Sequence, residues 1–322
     1  MYSRLLRTFG LAIFTVMMAV AFAAAAEPIL IGKGVDAKWS PVREWLSFLR
    51  NDSLFVVASE LDRTPKFVDV GPILHYEWLN DSSLLVQERF DVEKKGGRLI
   101  TNKISTVCLD GTKSEVIADS GIVGKDDVRR LSVRKLASGE VGYFDDDTGE
   151  EVFHPKSSPR SDFGKPGSRA YWVKTDGSNS PWGKVWLYYG IDGSKRLITT
   201  TENHYLLPRL APTADKLFCS SARGDLVVFD TLGHELANLG RVDFPTWSSD
   251  GEWIAFCETV YTERDIAGSN VCLARFDGSQ RRCLTNTADI IEVEPVFSPR
   301  CTKLIYREEM SGNLMIIESG IE

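Results

Sequence analysis

The chain has 322 residues, 43% hydrophobic and 26% charged, enough apolar material for a large core and too ordered a balance for a disordered tail. Its 38 Lys and Arg against 45 Asp and Glu give a net charge of -7. That balance argues against a sequence-independent nucleic-acid binder, which needs a basic surface, and four histidines argue against a histidine-rich metal centre.

Residues 1–26 read as an address. Arg4 and Arg7 form a basic start, Leu11 to Phe22 is an uncharged apolar run, and Ala24 and Ala26 give the small-x-small pattern that signal peptidase accepts. A secretory signal cut after Ala26 is the expectation, with an uncleaved N-terminal anchor as the alternative. No later segment is apolar enough to span a bilayer, so the mature chain is expected to be exported without a transmembrane segment, periplasmic or secreted. An oxidising compartment permits disulfides among Cys108, Cys219, Cys257, Cys272, Cys283 and Cys301, none of which forms a C-x-x-C pair. Cys257 and Cys272 either face each other across two antiparallel strands or are buried thiols packed as small hydrophobes.

Next comes Pro28-Ile29-Leu30-Ile31, a strand without a unit of its own, and after it a repeat. First turns fall at Trp39-Ser40-Pro41, Trp78-Leu79-Asn80-Asp81, near Gly124-Lys125-Asp126-Asp127, near Asp162-Phe163-Gly164, then at Leu210 to Asp215, Trp247-Ser248-Ser249-Asp250-Gly251 and Phe297-Ser298-Pro299. A second turn recurs at Asp110-Gly111-Thr112, Asp147-Thr148-Gly149, Asp192-Gly193-Ser194, Asp230 to Gly233 and Asp277-Gly278-Ser279. Asp caps its own backbone and Gly accepts positive φ, so these are turns between short strands. The clearest copy, from Phe244 to Thr285, reads as four strands. A period near 40 with four strands per unit means an all-β β-propeller. Seven anchors predict seven blades, with six as the alternative because the third and fourth copies are hard to delimit. The last unit holds three strands, so the segment at residues 28–31 is expected to supply its fourth and close the ring.

The run Trp247-Ser248-Ser249-Asp250-Gly251-Glu252-Trp253-Ile254-Ala255-Phe256 resembles the TolB-type propeller repeat, a relative of the WD repeat. The likeness covers most of residues 27–322. It is specific at residues 244–285, fair at 208–230 and 294–307, and weak at 120–165, and the Trp-Asp dipeptide of true WD repeats is missing. It implies a propeller over residues 27–322 and an exported setting. The family's best-known member carries an α/β domain before its propeller and works in an envelope complex with a lipoprotein. Repeats here begin directly after the expected signal, so neither feature carries over.

Catalytic patterns are sparse. There is no Gly-x-Ser-x-Gly and no His-Glu-x-x-His. Ser132-Val133-Arg134-Lys135 matches Ser-x-x-Lys but falls in a predicted strand, which sends the two side chains to opposite faces. His75, His154, His204 and His234 fall in different units and read as satisfied loop or strand histidines. Asp145-Asp146-Asp147-Thr148-Gly149-Glu150-Glu151 is either a calcium loop or a solvated turn, and it sits where the repeat wants a turn. Trp39, Trp78 and Trp247 share one place in the unit and read as packing between blades. No cofactor or metal is called for.

Loops carry the candidate surface. Between second and third strands, units two, four and six have long insertions near 89–103, 175–184 and 259–270. All three leave on one face. They present Arg89, Phe90, Lys94 and Arg98, then Trp182 and Lys184, then Tyr261 and Arg264, the residue types of interface hot spots. The expectation is a non-enzymatic envelope module that binds a protein or peptide partner. The alternative is a carbohydrate-active lyase or hydrolase with its site at the propeller channel.

Overall fold

A computed structural model describes residues 27–58, 64–70, 72–94, 97–110, 113–119, 131–135, 141–145, 151–153, 171–175, 183–189, 194–199, 204–262 and 266–321. The expected signal, the first turns near 124–127 and 162–164, the second turns at 147–149 and 192–193, most of the acidic run and His154 lie outside these residues. Every element among the described residues is a strand.

The strands of the described residues form seven small antiparallel sheets in chain order. Sheet 1 holds β2 (Val35–Trp39), β3 (Trp45–Arg50), β4 (Ser53–Ala58) and β5 (Lys66–Val70). Sheet 2 holds β6 (Ile73–Asn80), β7 (Ser83–Lys94), β8 (Gly97–Cys108) and β9 (Lys113–Asp119). Sheet 3 is β10 (Leu131–Lys135), β11 (Val141–Asp145) and β12 (Glu151–Phe153), and sheet 4 is β13 (Tyr171–Thr175), β14 (Val185–Tyr189) and β15 (Ser194–Leu197). Sheet 5 holds β16 (Tyr205–Leu210), β17 (Lys216–Ser221), β18 (Asp225–Asp230) and β19 (Glu235–Arg241). Sheet 6 holds β20 (Asp243–Trp247), β21 (Trp253–Tyr261), β22 (Ile266–Arg275) and β23 (Arg282–Cys283). Sheet 7 holds β24 (Glu292–Phe297), β25 (Lys303–Glu308) and β26 (Asn313–Glu318), and its fourth strand is β1 (Ile29–Lys33) from the other end of the chain. The pairing runs from Ile29 opposite Ile316 to Lys33 opposite Asn313. An all-β chain of successive small sheets is compatible with a β-propeller.

The first turn shows why the repeat reads as it does. Ser40, Ser248 and Ser298 are fully buried. Each hydroxyl accepts the backbone N–H of the residue five places on, at 3.1, 2.9 and 3.3 Å. Each serine N–H in turn donates to that same residue's carbonyl, at 2.7, 2.9 and 2.8 Å. The hydroxyl thus satisfies a donor that the turn would otherwise bury without a partner. Gly251 sits in this turn at φ 71°. A Cβ there would come within 2.6 Å of the Thr213 hydroxyl on the neighbouring sheet, which is why the sharpest copy has glycine.

Apolar clusters lie between sheets that follow one another. Phe218, Leu226 and Val228 of sheet 5 pack on Ile254, Phe256 and Ala274 of sheet 6. Ala255, Cys257 and Leu273 of sheet 6 pack on Phe297, Leu304 and Ile317 of sheet 7. Sheets 4 and 5, and sheets 1 and 2, meet in the same way. Ile31, Ile305, Leu314 and Ile316 of sheet 7 pack on Trp39, Leu46, Phe48 and Val57 of sheet 1, so the last sheet stacks on the first. Gly34 alone links β1 to β2 across this junction. A Cβ on it would lie 2.5 Å from the Phe48 ring.

Of the two readings of Cys257 and Cys272, the buried thiol holds for Cys257, and neither holds for Cys272. Cys257 is a buried free thiol, opposite Val271, and burial pushes its pKa up. Cys272 lies opposite Phe256, one register place away, and forms a disulfide with Cys283 of β23. The period of two along a strand puts Cys257 in the cluster between sheets 6 and 7 and Cys272 in the one between sheets 5 and 6.

Candidate functional site

Two repeated contacts link neighbouring sheets. The indole Nε1 of Trp78 donates to the Lys38 carbonyl at 3.3 Å and that of Trp247 to the Arg209 carbonyl at 3.2 Å, each in the preceding sheet. Trp39 does the same across the last-to-first junction, to the Val296 carbonyl at 3.1 Å. Glu252 pairs with Lys216 of the preceding sheet at 3.5 Å, and Glu44, at the matching place, pairs with Lys303 of sheet 7 at 3.4 Å. The tryptophans are packing residues, as their spacing implies.

A third feature repeats on the first strands. Asp36, Leu207, Phe244 and Glu294 each stand three residues before the closing Trp39, Leu210, Trp247 or Phe297. Each has a left-handed backbone, with φ of 51°, 51°, 53° and 57°. The pairing register slips at each of them, so each is a β-bulge. Leu207 and Phe244 are 65% and 48% exposed, and the Asp36 and Glu294 side chains 41% and 51%. Non-glycine residues seldom hold this conformation, and four at one register place mark it as part of the repeat.

At the junction of sheets 7 and 1 these bulges flank a cleft of about 460 Å³ lined by Asp36, Ala37, Glu294, Val296, Arg307 and Leu314, among others. Arg307 Nε is 3.3 Å from Glu294 and its Nη2 2.5 Å from Glu309. Lys38 Nζ lies 3.5 Å from Asp36, but nearer the Tyr76 carbonyl, at 2.6 Å, and Glu77, at 2.8 Å. Tyr306 also lines the cleft; burial first, then Glu292 and Glu308, raise its pKa and keep it a neutral phenol. This cleft escaped the sequence reading, although counting three residues back from each closing aromatic would have singled out Asp36 and Glu294.

The expected loops of units two and six are paired strands. β7 and β8 continue past their neighbours as a two-stranded arm, from Arg89 opposite Asn102 to Lys94 opposite Gly97. Arg89, Phe90, Lys94 and Arg98 all fall on it, Arg98 opposite Glu93. The arm of sheet 6 runs from Glu258 opposite Asn270 to Tyr261 opposite Ile266. Tyr261 is 47% exposed; its hydroxyl donates to Asp243 at 3.1 Å and the Arg241 guanidinium lies 4.5 Å from its ring centre. Alternating β-rich residues let the ladder run on where a loop was expected. Lys184 is exposed, beside the bridge between Gly183 and Tyr205. Trp182 and Arg264 lie outside the described residues. The structure therefore places the described arm candidates on separate sheets, with sheets 7 and 1 stacked between the two arms.

Of the histidines, His75 meets Glu77 at 3.2 Å and His234 meets Asp230 at 2.8 Å, both exposed local pairs. Among the described residues, the one group of three with metal-ligating atoms close together is Glu258, Cys272 and Cys283, and the disulfide occupies two of them. No helix among the described residues is long and apolar enough to cross a membrane. No protein-family model matches the chain, and no curated protein matches it in sequence.

Proposed function

We propose that the seven sheets close into a β-propeller of the TolB type, and that the protein is an exported, non-enzymatic module holding a protein or peptide partner on the face that bears the two arms. The observation that carries the ring is the junction of sheets 7 and 1, which repeats the tryptophan and Glu–Lys contacts of junctions inside the chain. In an antiparallel meander the second-to-third connections and the fourth-to-first connections leave from the same edge. The arms, the start of β2 and the end of β25 therefore share one face, and the cleft opens on it. Exposed Val260, Tyr261, Ile266, Ile290 and Met310 fall on these same connections, an apolar display typical of recognition surfaces. The basic start and small-x-small end of residues 1–26 support export.

The test is recovery of a partner from envelope extract by the tagged mature chain. Tyr261→Ala, Lys184→Ala and replacement of residues 90–101 by an Asn-Gly turn should each reduce recovery several-fold while thermal stability holds. Unchanged recovery in all three rejects this surface.

One observation favours the carbohydrate-active reading: the cleft sets two carboxylates, Asp36 and Glu294, at one mouth. Paired carboxylates are the groups glycosidic-bond chemistry uses. Each is here beside a resident cation, Lys38 or Arg307, which suits charge recognition better than proton transfer. Glycan cleavage abolished by Asp36→Asn or Glu294→Gln would favour the enzyme.

A further inference from the structure

We infer that the cleft between sheets 7 and 1 is a subsite for an alkylammonium group, the lysine side chain of an extended partner segment; this rests on the binding-module reading above. The bulge position presents its side chain outward whatever the residue. Among the described residues it offers Leu207 and Phe244 in sheets 5 and 6, and two acids, Glu294 and Asp36, where sheet 7 meets sheet 1. Behind the acids lie apolar walls from Ala37, Val296, Ile305 and Leu314, the last two almost wholly buried.

The lining is polar and apolar in nearly equal measure, and a volume of about 460 Å³ falls in the usual range of small-ligand sites. A lysine fits both halves. Its methylene stem lies along apolar surface and its compact ammonium makes several hydrogen bonds to carboxylates. The resident cations do not saturate the acids. Lys38 sits closer to Glu77 and the Tyr76 carbonyl than to Asp36, and Arg307 closer to Glu309 than to Glu294. Charge is therefore left for an incoming cation at both carboxylates.

The experiment titrates the mature chain, followed by NMR, with acetyl-Ala-Lys-Ala-amide, with the same peptide carrying norleucine for lysine, and with n-butylammonium. The lysine peptide should bind about tenfold tighter than the norleucine peptide, the factor expected for a hydrogen bond to a charged group. Asp36→Asn and Glu294→Gln should each lower its affinity by a similar factor. Arg307→Gln should raise it, and a gain cannot come from a damaged fold. Equal affinity for the two peptides, no binding of either, or no response to the carboxylate variants overturns the inference. Free butylammonium binding as tightly as the lysine peptide overturns the peptide source in favour of a small amine. These results do not depend on the arms. Loss of lysine selectivity with partner recovery still arm-dependent would sink the subsite alone, and the reverse pattern would sink the arm surface alone.

Discussion

The junction between sheets 7 and 1 joins the two ends of the chain, and the junction between sheets 5 and 6 lies within it, yet both are assembled from the same parts. Trp39 reaches the Val296 carbonyl across 257 residues of sequence, whereas Trp247 reaches the Arg209 carbonyl across 38. Closing the longer loop costs only about 2 kcal/mol more in chain entropy, because that cost grows with the logarithm of length. A buried hydrogen bond contributes about 1 kcal/mol and a fully buried apolar side chain about 2 kcal/mol, so the cluster of Ile31, Leu46, Phe48 and Ile305 outweighs the difference. What differs is the exposed bulge: acidic at the terminal junction, apolar at the internal one. Packing positions are interchangeable between junctions, and the exposed position beside them is where the chain individualises its sheets.

The strongest way to break this comparison is to remove residues 27–33. That deletes β1, uncovers the β26 edge and strips Ile31 from the shared cluster. The expected loss is about 4 kcal/mol, or roughly 10 °C in melting temperature for a chain of this size, with a rise in aggregation from the open edge. A melting temperature unchanged by the deletion would mean that β1 does not seal the junction.

A finer probe is the indole N–H. Trp39→Phe and Trp247→Phe each leave a carbonyl without its donor and should each cost about 1–2 kcal/mol by chemical denaturation. Equal costs are expected if the two junctions are alike, and a cost at Trp247 alone would refute that likeness. The ion pairs should differ in a graded way. Glu44 is 3% exposed in its side chain and Glu252 is 38% exposed. Glu44→Gln is expected to cost about 2 kcal/mol, since it removes a buried charge partner of Lys303, and Glu252→Gln about 0.5 kcal/mol.

The smallest effect is one of pH. Burial raises the pKa of Glu292 above its ordinary 4.5, and Glu308 adds to the rise, against hydrogen bonds from Thr285, the Val271 N–H and Thr287. The folded chain then holds that proton more tightly than the unfolded chain. Stability from this group is complete below the ordinary value and is lost as pH rises through the raised one. Asp277 behaves oppositely. The Ser279 hydroxyl and N–H lower its pKa, so its contribution is present above the ordinary carboxylate range and lost on acidification. Glu292→Gln should flatten the loss on the rising side of a pH–stability curve and leave the acid limb in place.

The repeat was legible because turns are local. Trp-Ser-x-Asp-Gly names its own geometry, with serine satisfying a buried N–H and glycine taking positive φ, and the surplus strand at residues 28–31 followed from counting. The arms were misread as loops, since a ladder that outruns its neighbours uses the same residues as a loop of that length until its partner register is known. The Cys257 and Cys272 question turned on a single register place, which spacing alone does not distinguish. The cleft was invisible for a similar reason. Asp36 and Glu294 are 258 residues apart in sequence and share a mouth only because sheet 7 stacks on sheet 1.

Composition and turn chemistry by themselves determined an all-β chain of short repeated units with an orphan first strand, because hydrogen-bond satisfaction in a tight turn involves only a few neighbouring residues. Which sheet received that strand, which cysteines met, and which acids came to face one another were decided by stacking, because those contacts depend on register and on surfaces that exist only after the sheets have packed.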